Sequence, residues 1–326
     1  SYWWRLAKNM QNSKKWGVNP LQTLAEDAHG RGWEFYVYSR CTAWHSGKIP
    51  PGPSSMWWSE FFIGHPEYWC RGRDGENIVG MSLAYPEVRR HMCDVFAEIG
   101  GLGVDGISPN FMRGTPRVFY EQPVVDAFKD AHGEDPCDLP PDEPRWLEHV
   151  ASYTTTYLRE IKEAIGPYCK LAPFIFGPMT SNRLAGLDPA AWLSEGLIDD
   201  LIIATDTFNA DHLCHDLGGP EDIDIEYYRN LPGREKVRLW LMGSGWENFR
   251  ADPERYIDGL LAKMERGADG YLWWDGDNTS RDALGNIFQM GRHPRPKYEP
   301  NRPLGRYLIK TWNGFAFSYY SPIDSW

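Results

Sequence analysis

Six times along the chain, a glycine-containing turn leads into a short apolar run that ends abruptly in polar residues. Each run is apolar throughout instead of alternating, which is typical of parallel strands buried on both faces. This repeat therefore limits the chain to folds built on a largely parallel sheet. The runs span residues 32–40, 103–110, 168–177, 198–206, 237–244 and 270–275.

Helical patterns with clear starts lie between these runs. Asn19 precedes Pro20, so a capping side chain is followed by proline at the first helical position. Pro86 begins a second helix that stops at Gly100, and further helical spacing covers residues 147–165 and the stretch after Pro253. Strand and helix alternate, which predicts parallel strands joined by right-handed crossovers.

The choice between an open sheet and a closed barrel depends on motifs. No G-x-G-x-x-G or G-x-x-x-x-G-K-[ST] sequence follows any apolar run, so the usual sign of a dinucleotide-binding or P-loop sheet is missing from the sequence. We therefore predict a (β/α)8 TIM-type barrel over residues 1–290. Residues 41–85 are rich in Pro, Trp and Gly, and they are expected to form a long loop with one short strand at 81–84 as a seventh barrel strand.

The two ends of the chain fit this barrel less well. The first barrel strand is either absent from the chain or atypical and located in residues 2–16. Residues 291–326 read as a linker followed by a small C-terminal β appendage, with strand-like runs at 306–312 and 314–320. Ser1 stands where an initiator Met is expected, and no signal-peptide pattern precedes Tyr2, so we expect a processed or excised segment.

Charge and composition exclude several kinds of partner. The 34 basic against 45 acidic side chains give a net charge of −11, which argues against a nucleic-acid partner. No stretch approaches the roughly 20 apolar residues that a membrane span needs. Six cysteines without a Cys-x-x-Cys pair are too few for a disulfide scaffold. The aromatic content of 16 Trp, 17 Tyr and 14 Phe suits either a large core or ring platforms for sugars. The oligomeric state stays open.

Three segments resemble a known family. They are AYPEVRRHMCDVF (84–96), VDGISPNFMRGTP (104–116) and HGEDPCDLPPDEPRWL (132–147). These segments resemble the glycoside-hydrolase-like TIM-barrel family called glycosyl hydrolase-like 10, and the similarity extends from about Asn19 to the GADGYLWWDGDN run at 267–278. The resemblance implies a barrel that acts on a glycan, with carboxylates at the ends of the fourth and sixth strands. Secretion is expected, because polymeric glycans are commonly met outside the cell.

One position departs from the family pattern. The fourth strand of the family reads D-G-I-x-x-D-[FY]-x-R, and Asp105, Gly106, Phe111 and Arg113 match it. Asn110 stands in place of the second Asp. The chain therefore uses another carboxylate, inverts configuration, or binds a glycan without cutting it.

The position of each acidic residue in the repeat selects the catalytic candidates, because barrel chemistry occurs on the loops that follow the strands. Asp206 ends an apolar run, where desolvation favours a general acid. Its partner is Glu121 or Asp275, which the sequence does not rank, and Glu247 is a further candidate. Asp105 begins a strand, so a structural role is expected for it. Substrate-binding roles are expected for Asn110, Arg113, Arg40, Trp44, His45, Trp246, Trp273, Trp274 and Asp277.

The DHLCHD segment at 211–216 suggests another enzyme class. His and Asp are ligand types for a divalent metal, so a metal-dependent polysaccharide deacetylase is the alternative. The spacing of this segment matches no known ligand motif, and we predict no metal and no organic cofactor. A G-x-S-x-G nucleophile elbow is absent from the sequence. The sequence thus favours a glycoside hydrolase with paired carboxylates.

Overall fold

The computed structural model describes residues 11–40, 60–112, 117–204, 225–243, 262, 264–273, 305–312 and 315–322. Its helices are α1 (Pro20–Gly30), α2 (Glu60–Gly64), α3 (Pro86–Gly100), α4 (Gln122–His132), α5 (Pro144–Ile165), α6 (Met179–Leu184), α7 (Pro189–Ser194) and α8 (Ile225–Arg229). Its strands are β1 (Glu34–Arg40), β2 (Trp69–Arg71), β3 (Asn77–Met81), β4 (Gly106–Asn110), β5 (Lys170–Leu171), β6 (Phe174–Ile175), β7 (Asp200–Ala204), β8 (Arg238–Gly243), β9 (Gly270–Trp273), β10 (Gly305–Trp312) and β11 (Phe315–Pro322).

Nine of these strands form one central sheet. Their order is β1-β11-β10-β9-β8-β7-β6-β4-β5, and β1 pairs in addition with β4. All neighbours are parallel except at β11, which runs antiparallel to both β10 and β1. The fold is therefore mixed α/β with a mostly parallel central sheet, an arrangement consistent with a barrel-like fold.

The six apolar runs all contain strands of this sheet, as predicted. The run at 168–177 is interrupted, and it forms β5 and β6 on either side of Ala172 and Pro173. Proline has no N–H to donate to a neighbouring strand. The carbonyl of Pro173 still accepts from the N–H of Ile202 at 3.0 Å, so the pairing with β7 continues past the gap.

Two predictions about the remaining strands are wrong. Of the barrel strand expected at 81–84, only Met81 lies in a strand. It ends β3, which pairs antiparallel with β2 in a separate two-stranded sheet, and residues 82–84 are not in a strand. The two tail strands do not form an appendage, because β10 pairs with β9 and β11 pairs with β1 inside the central sheet. Of the segment expected to hold an atypical first strand, residues 11–16 are helical and residues 2–10 lie outside the described part.

Local signals explain where the predicted helices begin. The Asn19 side chain accepts from the N–H groups of Leu21 at 3.0 Å and Gln22 at 3.4 Å, so it caps α1 as expected. Helix α3 starts at Pro86 and ends at Gly100. Most of the helix expected after Pro253 lies outside the described residues.

A polar network lies at the amino ends of the sheet strands. Glu34, Lys170, Asp200 and Arg238 are the first residues of β1, β5, β7 and β8, and they form a chain of ion pairs. The Asp200 side chain is fully buried. Burial raises the pKa of Glu34, but the hydrogen bond from Lys170 and the charge of Arg238 outweigh it and hold that pKa below its usual value. The network ties four strands together at the end opposite the predicted site.

Asp105 has the structural role that its position predicts. Its carboxylate accepts from the N–H of Phe35 at 2.6 Å and lies 2.7 Å from Nε2 of His29. It therefore connects the segment before β4 to β1 and to α1. Among the helices in the described ranges, none is long and apolar enough to cross a membrane.

Candidate active site

The carboxyl ends of the parallel strands lie along one edge of the sheet. Arg40 at the end of β1 is the register partner of Asn110 at the end of β4, and Asn110 is in turn the partner of Phe174 in β6. Gly243 at the end of β8 is the partner of Trp273 at the end of β9. Because the strands are parallel, the loops that follow them leave from this same edge.

Most of the predicted site residues follow these strand ends directly in the sequence. For Arg40 and Trp273 the strand backbone is described, and their side chains lie outside the described part. The other predicted residues outside it are Trp44, His45, Arg113, Asp206, Trp246, Glu247, Trp274, Asp275 and Asp277, together with the segment at 211–216. Within the described ranges, no group of three or more His, Cys, Asp or Glu side chains could hold a metal ion.

Asn110 is fully buried at the last position of β4. Side chains alternate along a strand, so Asn110 shares a face of the sheet with Gly106 and Ser108. Its Oδ1 accepts from the N–H of Met112 at 2.7 Å. The amide therefore fixes the turn at Phe111 and Met112 that follows β4, and it does so without a buried charge.

Glu121 is also fully buried, at the start of α4. Its Oε2 accepts from the N–H of Phe119 at 2.8 Å, and its Oε1 accepts from the N–H of Arg71 at 3.3 Å. The Ser82 hydroxyl is a further hydrogen-bond partner. Burial raises the pKa of Glu121, and the hydrogen bonds only partly oppose that effect.

These contacts show what the Glu121 carboxylate does in the fold. It joins the β2–β3 hairpin to the end of the connection between β4 and α4. Two backbone hydrogen bonds connect the same two parts of the chain. The N–H of Tyr120 donates to Arg71 O and the N–H of Leu83 donates to Arg117 O, both at 2.9 Å. A raised pKa is what a general acid needs, but both oxygens of Glu121 already serve as acceptors for the backbone.

The groups around Glu121 are not marked by any pattern in the sequence. Cys70 and Arg117 are 1% and 3% exposed, so a thiol and a guanidinium are buried in the same region as the carboxylate. Burial, followed by the charge of Glu121, raises the pKa of Cys70 well above its usual value. The thiol therefore stays protonated and is no candidate nucleophile. No motif marks Cys70 or Arg117, and their burial depends on the packing of the hairpin.

Comparisons with known proteins place the chain in no family. No family model matches it, and no curated protein matches it. Among solved structures, it is similar to the glycoside hydrolase domain of PgaB (BpsB) from Bordetella bronchiseptica. The identity is 11% and the TM-score 0.47, over 76% of this chain and 73% of that one.

Proposed function

We propose that this chain is a glycoside hydrolase that cleaves O-glycosidic bonds of an oligosaccharide or polysaccharide. The supporting observation is the single carboxyl edge at which β1, β4, β7, β8 and β9 end. The sequence continues from these ends into segments rich in carboxylates and aromatic rings. Parallel-sheet and barrel enzymes carry their catalytic groups on loops at this edge.

In this proposal Asp206, two residues after β7, is the general acid. Glycoside hydrolysis needs a second carboxylate, about 5 to 5.5 Å away for retention or roughly 6.5 to 9.5 Å away for inversion. Asp275, two residues after β9, is the favoured partner. Glu121 is the alternative partner, and its engagement by the N–H groups of Phe119 and Arg71 makes it the weaker one.

The remaining predicted residues would bind the sugar. Asn110 and Arg40 are register partners at the edge, which supports a shared role in holding substrate hydroxyls. Aromatic rings with polar edges suit the faces of pyranose rings. The other binding and supporting groups in this proposal are Arg113, Trp44, His45, Trp246, Glu247, Trp273, Trp274 and Asp277.

A second candidate function, glycan binding without hydrolysis, is favoured by Asn110. The resembled family has an Asp at that position, and here a neutral amide is buried there and engaged with the N–H of Met112. If the missing carboxylate were essential for cleavage, the edge would bind a glycan and leave it intact.

The test is release of reducing sugar from a panel of polysaccharides. Asp206→Asn and Asp275→Asn are each expected to lower the rate by about 10²-fold to 10⁴-fold, the usual contribution of a positioned acid or base. Asp142→Asn, at an exposed loop position, is the matched control and should leave the rate unchanged. Release that is unaffected by Asp206→Asn contradicts the assignment, and binding without release by the unaltered protein favours the second candidate.

A further inference from the structure

A groove of about 360 Å³ lies between helices α5, α6, α7 and α8. Leu147, Met179 and Leu187 supply apolar surface, and Arg183, Asp188 and Tyr227 supply polar groups. The volume is within the range of about 300 to 1,000 Å³ that is usual for small-molecule sites.

The groove lies at the carboxyl-edge side of the fold. Helix α6 begins at Met179, shortly after β6 ends, and α5 begins at this end because it crosses back from β4 to β5. The hydroxyl of Tyr228 in α8 donates to Gly177 O at 2.8 Å, and Asn182 Nδ2 donates to that hydroxyl at 2.9 Å. These bonds fasten α8 to the segment after β6, so the walls of the groove are held in place.

Arg183, Asp188 and Tyr227 line the same groove, and the two charges act on the phenol. Burial raises the pKa of Tyr227, the negative charge of Asp188 raises it further, and the positive charge of Arg183 opposes the shift. The phenol therefore lies within electrostatic reach of both charges. Asp188 uses Oδ1 to accept from the N–H of Ala191 at 3.0 Å, and within the described part of the chain Oδ2 accepts no hydrogen bond.

Two charged side chains of the groove are available as well. Over the described ranges, Arg183 has no carboxylate within 4.0 Å, and Glu148 has no basic partner within that distance. Arg183 offers donors, whereas Glu148 and Asp188 offer acceptors. The groove thus combines an apolar floor, a tyrosine and both kinds of hydrogen-bonding group without a large excess of one charge.

A sugar ring has matching chemistry, because it presents C–H groups on its faces and hydroxyls around its edge. We propose that this groove is a second carbohydrate-binding site, which holds a short saccharide between α5, α6, α7 and α8. The saccharide packs against Met179 and Tyr227, and its hydroxyls bond to Arg183, Asp188 and Glu148. Binding here goes beyond the hydrolase proposal, since it requires neither Asp206 nor Asp275.

The experiment follows the methyl group of Met179 by NMR in protein labelled with ¹³C at the methionine methyl groups. A Met179→Leu variant identifies the signal. Cellobiose, maltose and N,N′-diacetylchitobiose are titrated separately into the full chain. We expect a saturable shift with at least one of them, with Kd on the order of 1 mM.

Substitutions in the groove test whether the shift of the Met179 signal arises from binding there. Arg183→Ala and Tyr227→Ala remove recognition groups, and Ala190→Trp fills the space, so each is expected to weaken binding about tenfold. Tyr168→Ala is the matched aromatic control, because Tyr168 is 95% exposed just before β5, at the opposite end of the sheet. It should leave the titration unchanged.

Two results would overturn the proposal. One is the absence of any saturable shift of Met179 with all three saccharides, and the other is a shift that persists in both Arg183→Ala and Tyr227→Ala. The Asp206→Asn variant separates this proposal from the proposed hydrolase activity. It should bind at the groove as the unaltered protein does, whether or not the chain cleaves any glycan.

Discussion

Asp200 and Arg238 begin neighbouring parallel strands, and Arg238 Nη2 donates to Asp200 Oδ2 at 2.8 Å. The same carboxylate accepts from Trp240 Nε1 at 2.7 Å and from the Tyr36 hydroxyl at 2.9 Å. Three strands therefore meet at one fully buried carboxylate. The free-energy cost of burying a charge is small only while such partners are present, so this position is sensitive to substitution.

We expect Asp200→Ala to lower the free energy of unfolding by about 3 to 5 kcal/mol, because it leaves a guanidinium without its main partner. Urea denaturation measures the change. Asp27→Ala is the control, since Asp27 forms an exposed i,i+4 pair with Arg31 on α1. Its loss should cost only a few tenths of a kcal/mol. Equal effects of the two substitutions would contradict a structural role for Asp200.

Close packing around Tyr36 gives a second prediction. A Cβ at Gly106 would overlap with the buried ring of Tyr36, which is held by its hydrogen bond to Asp200. Gly106→Ala should therefore destabilise the protein by about 1 to 3 kcal/mol. Gly30→Ala is the matched control, because nothing lies within 4 Å of its added Cβ. Thermal unfolding of the two variants should differ clearly, and equal melting temperatures would show that Tyr36 can move aside.

The network around Asp200 also shows which parts of the fold the sequence could predict. The apolar runs identified six strand regions because burial on both faces is a local property of the sequence. The charged residues at the start of four of those strands, Glu34, Lys170, Asp200 and Arg238, are visible in the sequence as well. Their mutual contact is not visible, since it depends on the order of the strands in the sheet.

The two wrong strand predictions both concern which strands pair with each other. The strand expected at 81–84 overlaps with β3 only at Met81, and the turn around Gly75 lets β3 pair with β2 nearby in the sequence. The tail strand β11 pairs with β1, about 280 residues away, and no local pattern specifies so distant a partner. At the candidate site, the burial of Glu121 likewise arises from the hairpin packed over it, which the sequence did not predict.

The buried carboxyl of Glu121 predicts a pH dependence. Its pKa is raised in the folded protein, so the folded state takes up a proton at a higher pH than the unfolded state does. Stability from this group is fully present below the unfolded pKa of about 4.3 and is lost as the pH rises through the folded pKa. The stability of the unaltered protein relative to Glu121→Gln should therefore increase as the pH falls.

Glu195 provides the control of opposite sign. The hydrogen bond from Arg159 lowers the pKa of Glu195, so its contribution is present at neutral pH and is lost as the pH falls through that lowered pKa. Urea unfolding of the unaltered protein, Glu121→Gln and Glu195→Gln from neutral pH to a pH well below the usual Glu pKa of about 4.3 gives both differences. If the two differences change in the same direction, the predicted effect of burial on Glu121 is wrong.

Asn110 allows the two candidate functions to be separated by a gain as well as a loss of activity. If Asp206 acts as the general acid, the unaltered protein should release sugar without the Asn110→Asp substitution. The double variant Asn110→Asp/Asp206→Asn should then be inactive. If Asn110 is the reason that the chain only binds glycans, Asn110→Asp should create sugar release where the unaltered protein shows none.

Aspartate at position 110 keeps an oxygen that can accept from the N–H of Met112, so the turn after β4 is expected to survive the change. Assays of reducing sugar, accompanied by circular dichroism to verify folding, distinguish these outcomes. Activity that appears in the double variant would remove Asp206 from the mechanism, because release would then proceed without its carboxylate.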